Sequence, residues 1–347
     1  MGRGASDAPP ESRDAGQTSL VGIACVLGAS SVFVCNDAVV KWLSDDHALH
    51  QIVLIRAIIA LTLTLVVLVP LEGGYRNLLS RRWPLHLLRG FVLVVTNMAF
   101  FAGLSVLPLG EATAIFFVAP LLITALSALL LGEHVGVRRW SAVLIGLAGV
   151  LVMVRPGTDA FQVAALFPLC AAFTYALLQI LTRKLGTTER ASTMSVYIQV
   201  CFIGVGTAFG LVAGDGRFVD ADASPQARFL LRAWTWPQAE DLALMLAIGV
   251  LGAAGSYLMS QAYRMSRAAV VAPFEYAALP LSVLLSIVVW GDWPDRVAWI
   301  GIALILAAGL YVFQREARLG RATAARGATR ARAAPSAPRR GRRPGHP

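Results

Sequence analysis

Charged residues are scarce in this 347-residue chain. They make up 14% of the residues, whereas 57% are apolar and the mean hydropathy is +0.66. An ordinary soluble domain contains about 25% charged residues, so a single water-soluble fold is excluded. A disordered chain is excluded too, because its apolar content would be far lower. We therefore expect a membrane protein that crosses the bilayer several times.

Common catalytic and metal-binding motifs are missing. Neither lysine follows a glycine, and neither HExxH nor GxSxG occurs, so no site for ATP hydrolysis, zinc proteolysis or serine hydrolysis is visible. The four cysteines lie inside apolar runs without CxxC spacing; they are Cys25, Cys35, Cys170 and Cys201. This placement argues against a disulfide framework or a zinc site. We predict a protein that is not an enzyme and that holds no metal and no cofactor.

Ten apolar runs follow one another along the chain, each close to the about 20 residues that a membrane helix needs. They cover roughly residues 20–42, 51–71, 86–106, 109–131, 138–155, 161–182, 192–213, 241–263, 268–290 and 296–314. Most connections between them are very short, which forces neighbouring helices to run antiparallel. The polar ends, residues 1–17 and 316–347, are predicted to be disordered. The fold class is therefore an all-α integral membrane protein.

Basic residues concentrate on one side of the predicted membrane. With the N-terminus in the cytoplasm, thirteen lie in cytoplasmic segments before the C-terminal tail and six lie on the opposite side. Ten arginines follow from Arg315 onward. Because cytoplasmic segments carry the excess of Lys and Arg, both termini are predicted to be cytoplasmic, in an inner membrane. The tail is either a solubilising extension or a contact for anionic lipid, and nucleic acid binding is not predicted.

Two parts of the chain match each other at an offset of 159 residues. Gly132-Glu133 falls on Gly291-Asp292, and Trp140 falls on Trp299. This match predicts two five-helix units, residues 18–157 and residues 158–315. An odd number of spans inserts the second unit upside down. Inverted repeats around a site at mid-membrane are typical of secondary transporters.

Several motifs resemble the EamA-type family of the drug/metabolite transporter superfamily. They are Leu107-Pro108-Leu109-Gly110-Glu111, Ala119-Pro120 and Leu131-Gly132-Glu133 in the first half, and Ala272-Pro273-Phe274-Glu275-Tyr276 and Gly291-Asp292 in the second. The resemblance implies ten helices in two inverted EamA repeats around a central cavity for a small polar metabolite. The chain is most similar to members with S-adenosylmethionine or amino-acid-like substrates. Asp292 departs from the glutamate that is usual in the family.

Charged residues inside the predicted spans are candidates for the transport site. A charge costs about 2.5–3.5 kcal/mol at the bilayer centre, so each needs a partner or an aqueous cavity. Asp37 and Arg56 lie at similar depth on neighbouring helices, and Lys41 follows Asp37 by four residues. We interpret Asp37 and Arg56 either as an ion pair that compensates charge or as an outer gate, with Arg56 able to bind a carboxylate.

Glu275 lies about 10 Å into the ninth span from the cytoplasmic side, with no basic residue within one helical turn of sequence. It is interpreted as a proton-coupling group or a contact for a cationic substrate; the alternative is a hydrogen bond to a neighbouring helix. Tyr276 belongs to the same motif. Further cavity candidates, each alternatively a helix–helix hydrogen bond, are Asn97, Tyr175, Gln179, Gln199, Tyr257 and Gln261.

These features favour a secondary active transporter that moves a small polar metabolite across the inner membrane by alternating access, with proton coupling or exchange. The metabolite would be an amino acid, an amine or S-adenosylmethionine-like. One alternative is a membrane scaffold or accessory subunit without transport activity. Another is a membrane enzyme for lipid-linked substrates, which would need clustered Asp, His and Arg at one membrane face. The protein is expected to be a monomer or a homodimer.

Overall fold

The computed structural model describes residues 10–132, 135–158, 162–185, 191–220, 222–265, 274–312 and 314, which form helices and connections without a β-strand. The main helices are α1 (Pro10–Leu43), α2 (Leu49–Leu71), α3 (Trp83–Leu104), α4 (Leu109–Leu131), α5 (Val137–Val154), α6 (Leu166–Leu185), α7 (Ala191–Ala213), α8 (Ala239–Met265), α9 (Ala278–Trp290) and α10 (Arg296–Val312). Long apolar segments become helices because a helix satisfies its own backbone hydrogen bonds, as a membrane interior requires.

The helices differ in how well their length suits a membrane. Within the described ranges, α1 to α8 are each long and apolar enough to cross a bilayer, whereas α9 and α10 are shorter apolar helices. Residues 266–273, which precede α9 and carry part of the second-half motif, lie outside the described ranges. The ten expected spans thus correspond to eight full-length candidates and two shorter helices.

The N-terminal helix is longer than expected. α1 begins at Pro10, so residues 10–17, which we expected to be disordered, are helical. The apolar span within α1 starts only at Leu20. Once the apolar run has nucleated a helix, adding further residues to it costs little. The arginine-rich tail, residues 315–347, lies outside the described ranges, as do residues 1–9.

α4 is interrupted near its middle. Its first part ends at Phe116, and its second part begins at Ala119. Pro120 stands in the first turn of the second part, where its missing N–H cannot donate back across the break. The second part ends at Gly132, whose φ of 67° is a left-handed conformation that glycine adopts without strain.

The entry into α9 has the same form. A helical turn at Phe274 and Glu275 is followed by a non-helical step at Tyr276 and Ala277, and α9 then begins. α9 also ends at a left-handed glycine, Gly291, with φ of 73°. Both segments therefore combine an interruption, a second helical part and a glycine stop.

Helix packing follows a regular pattern. The extensive pairs are α1 with α8, α3 with α6, α2 with α7, α3 with α7, α2 with α8, α4 with α6, and α4 with α9. α5 and α10 approach closely at glycines, because Gly149 lies against Leu304 and Gly301 lies against Met153. The interior is apolar, with Phe101 fully buried at its centre.

The outward faces of the bundle are apolar as well. Leu129, Leu211 and Val288 are each at least 70% exposed. Exposed apolar surface on this scale needs a cover, which lipid tails supply for a membrane protein.

One connection packs against each end of the α2–α7 pair. α2 and α7 run antiparallel, since Glu72 at the end of α2 accepts a 3.0 Å hydrogen bond from the backbone N–H of Ser192 at the start of α7. Near that end, Tyr197 of α7 donates a 3.1 Å hydrogen bond to the carbonyl of Leu78. Its ring stacks on His86 with centroids 5.1 Å apart.

At the opposite end the connection from α7 to α8, residues 214–238, includes a short helix, Pro225–Leu231. His50 of α2 donates a 3.0 Å hydrogen bond from Nδ1 to the carbonyl of Leu230. Its ring stacks on Trp234 at 5.8 Å between centroids. Both ends of the α2–α7 pair are therefore joined to a neighbouring connection by a hydrogen bond to a carbonyl, and a stacked ring pair that includes an imidazole lies at each end.

We expect Gly90→Val to destabilise the protein. A Cβ atom at Gly90 of α3 would lie 2.6 Å from Sγ of Cys201 on α7, so the two helices would have to separate. Overpacking of this kind costs about 1–3 kcal/mol. The measurement is the melting temperature of the purified protein in detergent.

Gly204→Val is the matched control. Gly204 lies on α7, which packs against α3, and no atom of another helix lies within 4 Å of a Cβ atom placed there. The packing account would be wrong if both variants lowered the melting temperature equally.

Candidate functional site

Arg56 is held at the meeting point of α2, α3 and α7. Its Nη2 donates a hydrogen bond to Oδ1 of Asn97 on α3. The guanidinium also lies over the rings of Phe101 and Phe202, at 5.4 Å and 5.2 Å from their centroids. Cation–π contacts of this kind strengthen when the groups are removed from water. Three helices thus contribute to stabilising one charge inside a candidate span.

The expected ion pair between Asp37 and Arg56 does not form. Among the described residues, no carboxylate lies within ion-pair distance of Arg56, although Asp37 remains close enough to interact with it electrostatically. The side chain of Asn36 instead donates to Oδ1 of Asp37 at 3.3 Å. Arg56 therefore uses an amide oxygen and two ring faces as its direct partners.

Lys41 does not pair with Asp37 either. Its Nζ donates to the carbonyls of Leu104 and Leu107, at 3.0 Å and 2.6 Å, and lies 5.6 Å from the ring centre of Trp290. The last carbonyls of a helix have no partner within the helix and carry partial negative charge, so they attract a cation. Lys41 therefore ties α1 to the end of α3.

A row of aromatic rings runs from Arg56 to α6. Phe101 contacts Phe100 at 5.5 Å, Phe100 contacts Phe116 at 5.3 Å, and Phe116 contacts Tyr175 at 5.6 Å between centroids. The hydroxyl of Tyr175 accepts a 2.8 Å hydrogen bond from Nε2 of Gln179. These spacings are those of favourable tilted and edge-to-face ring contacts.

Glu275 lies at the far end of this aromatic row. It is half-buried and interacts electrostatically with Tyr175 and with its neighbour Tyr276. Tyr276 is buried, and its ring lies 5.0 Å from that of Phe117. Phe117 and Tyr276 are the residues at which α4 and the entry into α9 are interrupted. The two interruptions are therefore in direct contact beside the row.

Three of the remaining sequence candidates make no contact with this group among the described residues. Gln199 on α7 and Gln261 on α8 are half-buried, and the structure places no hydrogen bond on either. Tyr257 on α8 is 49% exposed. In the part of the chain described, no cluster of three or more His, Cys, Asp or Glu residues is suited to hold a metal ion.

Arg89 is one of the basic residues counted on the cytoplasmic side, although it falls within the third apolar run. It lies within the candidate span of α3, half-buried, where its Nη1 faces Sδ of Met194 at 2.7 Å. It also interacts electrostatically with Tyr175. The group around the aromatic row therefore contains two arginines rather than one.

An ion pair between Arg155 and Asp295 lies apart from this group, at helix ends. Nη2 of Arg155, which follows α5, donates to both carboxylate oxygens of Asp295 at 2.5 Å. Oδ1 of Asp295 also accepts from the backbone N–H of Ala298 at 2.7 Å. The hydrogen bonds from Arg155 and Ala298 hold the pKa of the Asp295 carboxyl below its usual range.

A comparison with protein-family models matches most of the chain. A model of the EamA-like transporter family matches residues 20–155 and again residues 162–314. The chain belongs to the EamA-like transporter family. It is accordingly a multi-pass membrane protein that transports a small molecule, and it is not an enzyme.

Curated relatives carry two kinds of name. A riboflavin transporter of Rhizobium johnstonii is 31% identical over 67% of this chain and 71% of its own length. A riboflavin transporter of Vibrio cholerae is 29% identical over 87% of this chain and 96% of its own length. An S-adenosylmethionine uptake transporter of Rickettsia prowazekii is 25% identical over 87% of this chain and 96% of its own length.

A solved crystal structure has the same fold. It is 20% identical in sequence, superposes with a TM-score of 0.57, and covers 87% of this chain and 98% of its own. This likeness supports the arrangement of helices in the EamA-like transporter and nothing about its substrate.

Sequence reasoning identified both ends of the aromatic row in this EamA-like transporter but missed what joins them. Arg56, Glu275, Asn97, Tyr175 and Gln179 were candidates because polar groups stand out in apolar runs. The phenylalanines between them gave no such signal, since they resemble ordinary packing residues. Arg89 was missed because it lies near the start of the third apolar run and was counted with the basic residues of the cytoplasmic side.

We expect Asp295→Asn to lower the melting temperature at neutral pH by about 2 °C or less, since an exposed ion pair contributes little. Because the carboxyl pKa is depressed in the folded protein, the stabilisation is present above the pKa of the unfolded chain. It disappears as the pH falls through the lower folded pKa. Melting curves of both proteins from pH 7 down to pH 3 should therefore converge in acid.

Asp46→Asn is the control for this comparison, since Asp46 is an exposed carboxylate in the α1–α2 connection. A difference between wild type and Asp295→Asn that stayed constant over the whole pH range would contradict the ion-pair account.

Proposed function

We propose that this chain is a secondary transporter that works by alternating access, built from two inverted five-helix repeats, residues 18–157 and 158–315. The main support is the contact between the two interrupted segments. Phe117 and Tyr276 are 159 residues apart, the same offset that relates the glycine stops Gly132 and Gly291. Discontinuous helices that meet between inverted repeats form the substrate sites of many transporters.

The pairing of helices supports the same architecture. Exchanging each helix with the one five places along converts the α1–α8 pair into α6–α3, and α3–α7 into α8–α2. It leaves α2–α7 and α4–α9 unchanged, and all of these pairs pack extensively. Two units related by a twofold axis in the membrane plane would give this pattern.

The connections at the two ends of the α2–α7 pair fit this relationship as well. When α2 and α7 are exchanged, the stacked pair of Tyr197 and His86 at one end corresponds to the stacked pair of His50 and Trp234 at the other. The carbonyl of Leu78 takes the place of the carbonyl of Leu230. The excess of basic residues in the predicted cytoplasmic segments supports cytoplasmic termini in an inner membrane.

The aromatic row suggests the class of substrate. Rings between Arg56 and Glu275 would stack on a flat fused-ring system, while the charged ends and Asn97 would contact a polar chain. Riboflavin and S-adenosylmethionine, named for the relatives, both combine a flat fused ring with a hydroxylated chain or sugar. We infer a small polar metabolite of this kind.

The test is counterflow in proteoliposomes. Vesicles are loaded with unlabelled riboflavin, S-adenosylmethionine, an amino acid or a polyamine, and entry of the labelled compound is followed. Saturable entry that depends on the same compound inside would support alternating access and identify the substrate class. Entry that is equal in loaded and empty vesicles for every compound would contradict alternating access with these substrates.

We expect Glu275→Gln to abolish the pH dependence of transport or substrate binding. Glu275 is a half-buried carboxylate at the end of the row and contacts Tyr175 electrostatically, so its proton or its charge is placed to couple to the substrate. The measurement is the initial rate of uptake from pH 5.5 to pH 8, compared with the wild type.

Glu240→Gln provides the control, because Glu240 is exposed at the start of α8. Unchanged uptake and an unchanged pH profile in Glu275→Gln would rule out a coupling role for this carboxylate.

A further inference from the structure

Arg89 occupies an unusual position for an arginine. It follows Trp83, the first residue of α3, by six residues, which places it about 9 Å along the helix from its start. Its side chain is half-buried within the candidate span. A guanidinium at this depth is costly unless a partner or a ligand stabilises it.

The partners that the described residues supply to Arg89 are weak. Nη1 faces the thioether of Met194, and sulfur of this kind is a poor acceptor. Nε is buried without a hydrogen bond. No carboxylate in the described ranges forms an ion pair with this guanidinium, in contrast to Arg155, which holds Asp295 through two hydrogen bonds. Arg89 therefore keeps donors available to an incoming acceptor.

The backbone beside Arg89 is fixed. Gly90 packs directly on Cys201 and on the carbonyl of Tyr197, so this part of α3 cannot rotate without a clash against α7. The guanidinium is consequently held in one region, between α6 and α7. Restricting a binding group in advance lowers the entropy lost when a ligand is bound.

Arg89 shares a neighbour with Glu275. Tyr175 interacts electrostatically with both, and its hydroxyl is fixed by Gln179. A cation and an anion thus both lie near the last ring in the aromatic row. This juxtaposition suits a ligand whose flat ring lies along the row and whose polar end carries a negative group.

We propose that Arg89 is a specificity-determining residue that binds the carboxylate or phosphate of the transported metabolite at the inner end of the aromatic row. The planar guanidinium presents pairs of N–H donors that match the two oxygens of such a group. In a zwitterionic substrate the ammonium group would face Glu275. This inference rests on the proposed transport function and adds the requirement for an anionic group.

The experiment uses ligand pairs that differ by one anionic group. Riboflavin is compared with riboflavin 5′-phosphate, and decarboxylated S-adenosylmethionine with S-adenosylmethionine, in binding to the full-length protein in nanodiscs of uncharged lipid. Arg89→Gln should weaken binding of the anion-bearing member of the bound pair by about tenfold or more. It should change the affinity for the member without the carboxylate or phosphate by less than about twofold.

Two further variants make the result specific. Arg89→Lys keeps the charge but loses the paired donors, so it should recover part of the affinity for the anionic ligand. Arg81→Gln removes an exposed arginine of the α2–α3 connection and should leave both affinities unchanged. If Arg89→Gln fails to fold, as its melting curve would reveal, the selective loss is measured with Arg89→Lys.

Other outcomes would overturn the proposal. Equal loss for both members of a pair would make Arg89 a structural residue. A phosphatidylglycerol-dependent change in melting temperature that Arg89→Gln removes, with ligand binding unaffected, would assign Arg89 to a lipid headgroup. If the wild type binds none of the four compounds, the proposed role of Arg89 is overturned too. In that case counterflow of a different compound would still support the proposed transport function. If no compound showed counterflow, the proposed transport function would be overturned together with the role of Arg89.

Discussion

A charged group inside a membrane must find its partners within the protein, and this requirement determines how the centre of the bundle is built. Arg56 meets it with an amide oxygen from α3 and ring faces from α3 and α7. Lys41 meets it with carbonyls at the end of α3. Each charge therefore ties together helices that are distant in sequence. The contacts of Arg56 also hold Phe101, the first ring of the aromatic row.

The interruptions in α4 and before α9 serve the same centre in a different way. A continuous helix presents only side chains to its neighbours, whereas a break exposes backbone groups and lets the two helical parts differ in direction. Phe117 and Tyr276 bring the two breaks into contact, and the left-handed glycines set the far ends of both segments. The bundle is thus least regular where the candidate site lies.

The sequence was sufficient to predict the helical membrane class and the family, because apolar runs and local motifs carry that information. It also identified Arg56 and Glu275, since a charge in an apolar run is visible without a structure. An ion pair with Asp37 was one of two interpretations of Arg56, and the structure shows Asn97 as its hydrogen-bond partner, since only the packing of α3 decides between two residues within reach. The aromatic row and the contacts of Arg89 depend on four or more helices meeting, which no local pattern encodes.

The two connections on the α2–α7 pair differ greatly in size. Residues 72–82 link α2 to α3, whereas residues 214–238 link α7 to α8 and contain a helix of their own. If the chain is a carrier with inverted halves, as proposed above, this inequality would give the two membrane faces different energy barriers to opening. Microscopic reversibility forbids such a difference from changing the final distribution of an uncoupled substrate. It instead makes the apparent affinity and the maximal rate depend on the side from which the substrate arrives.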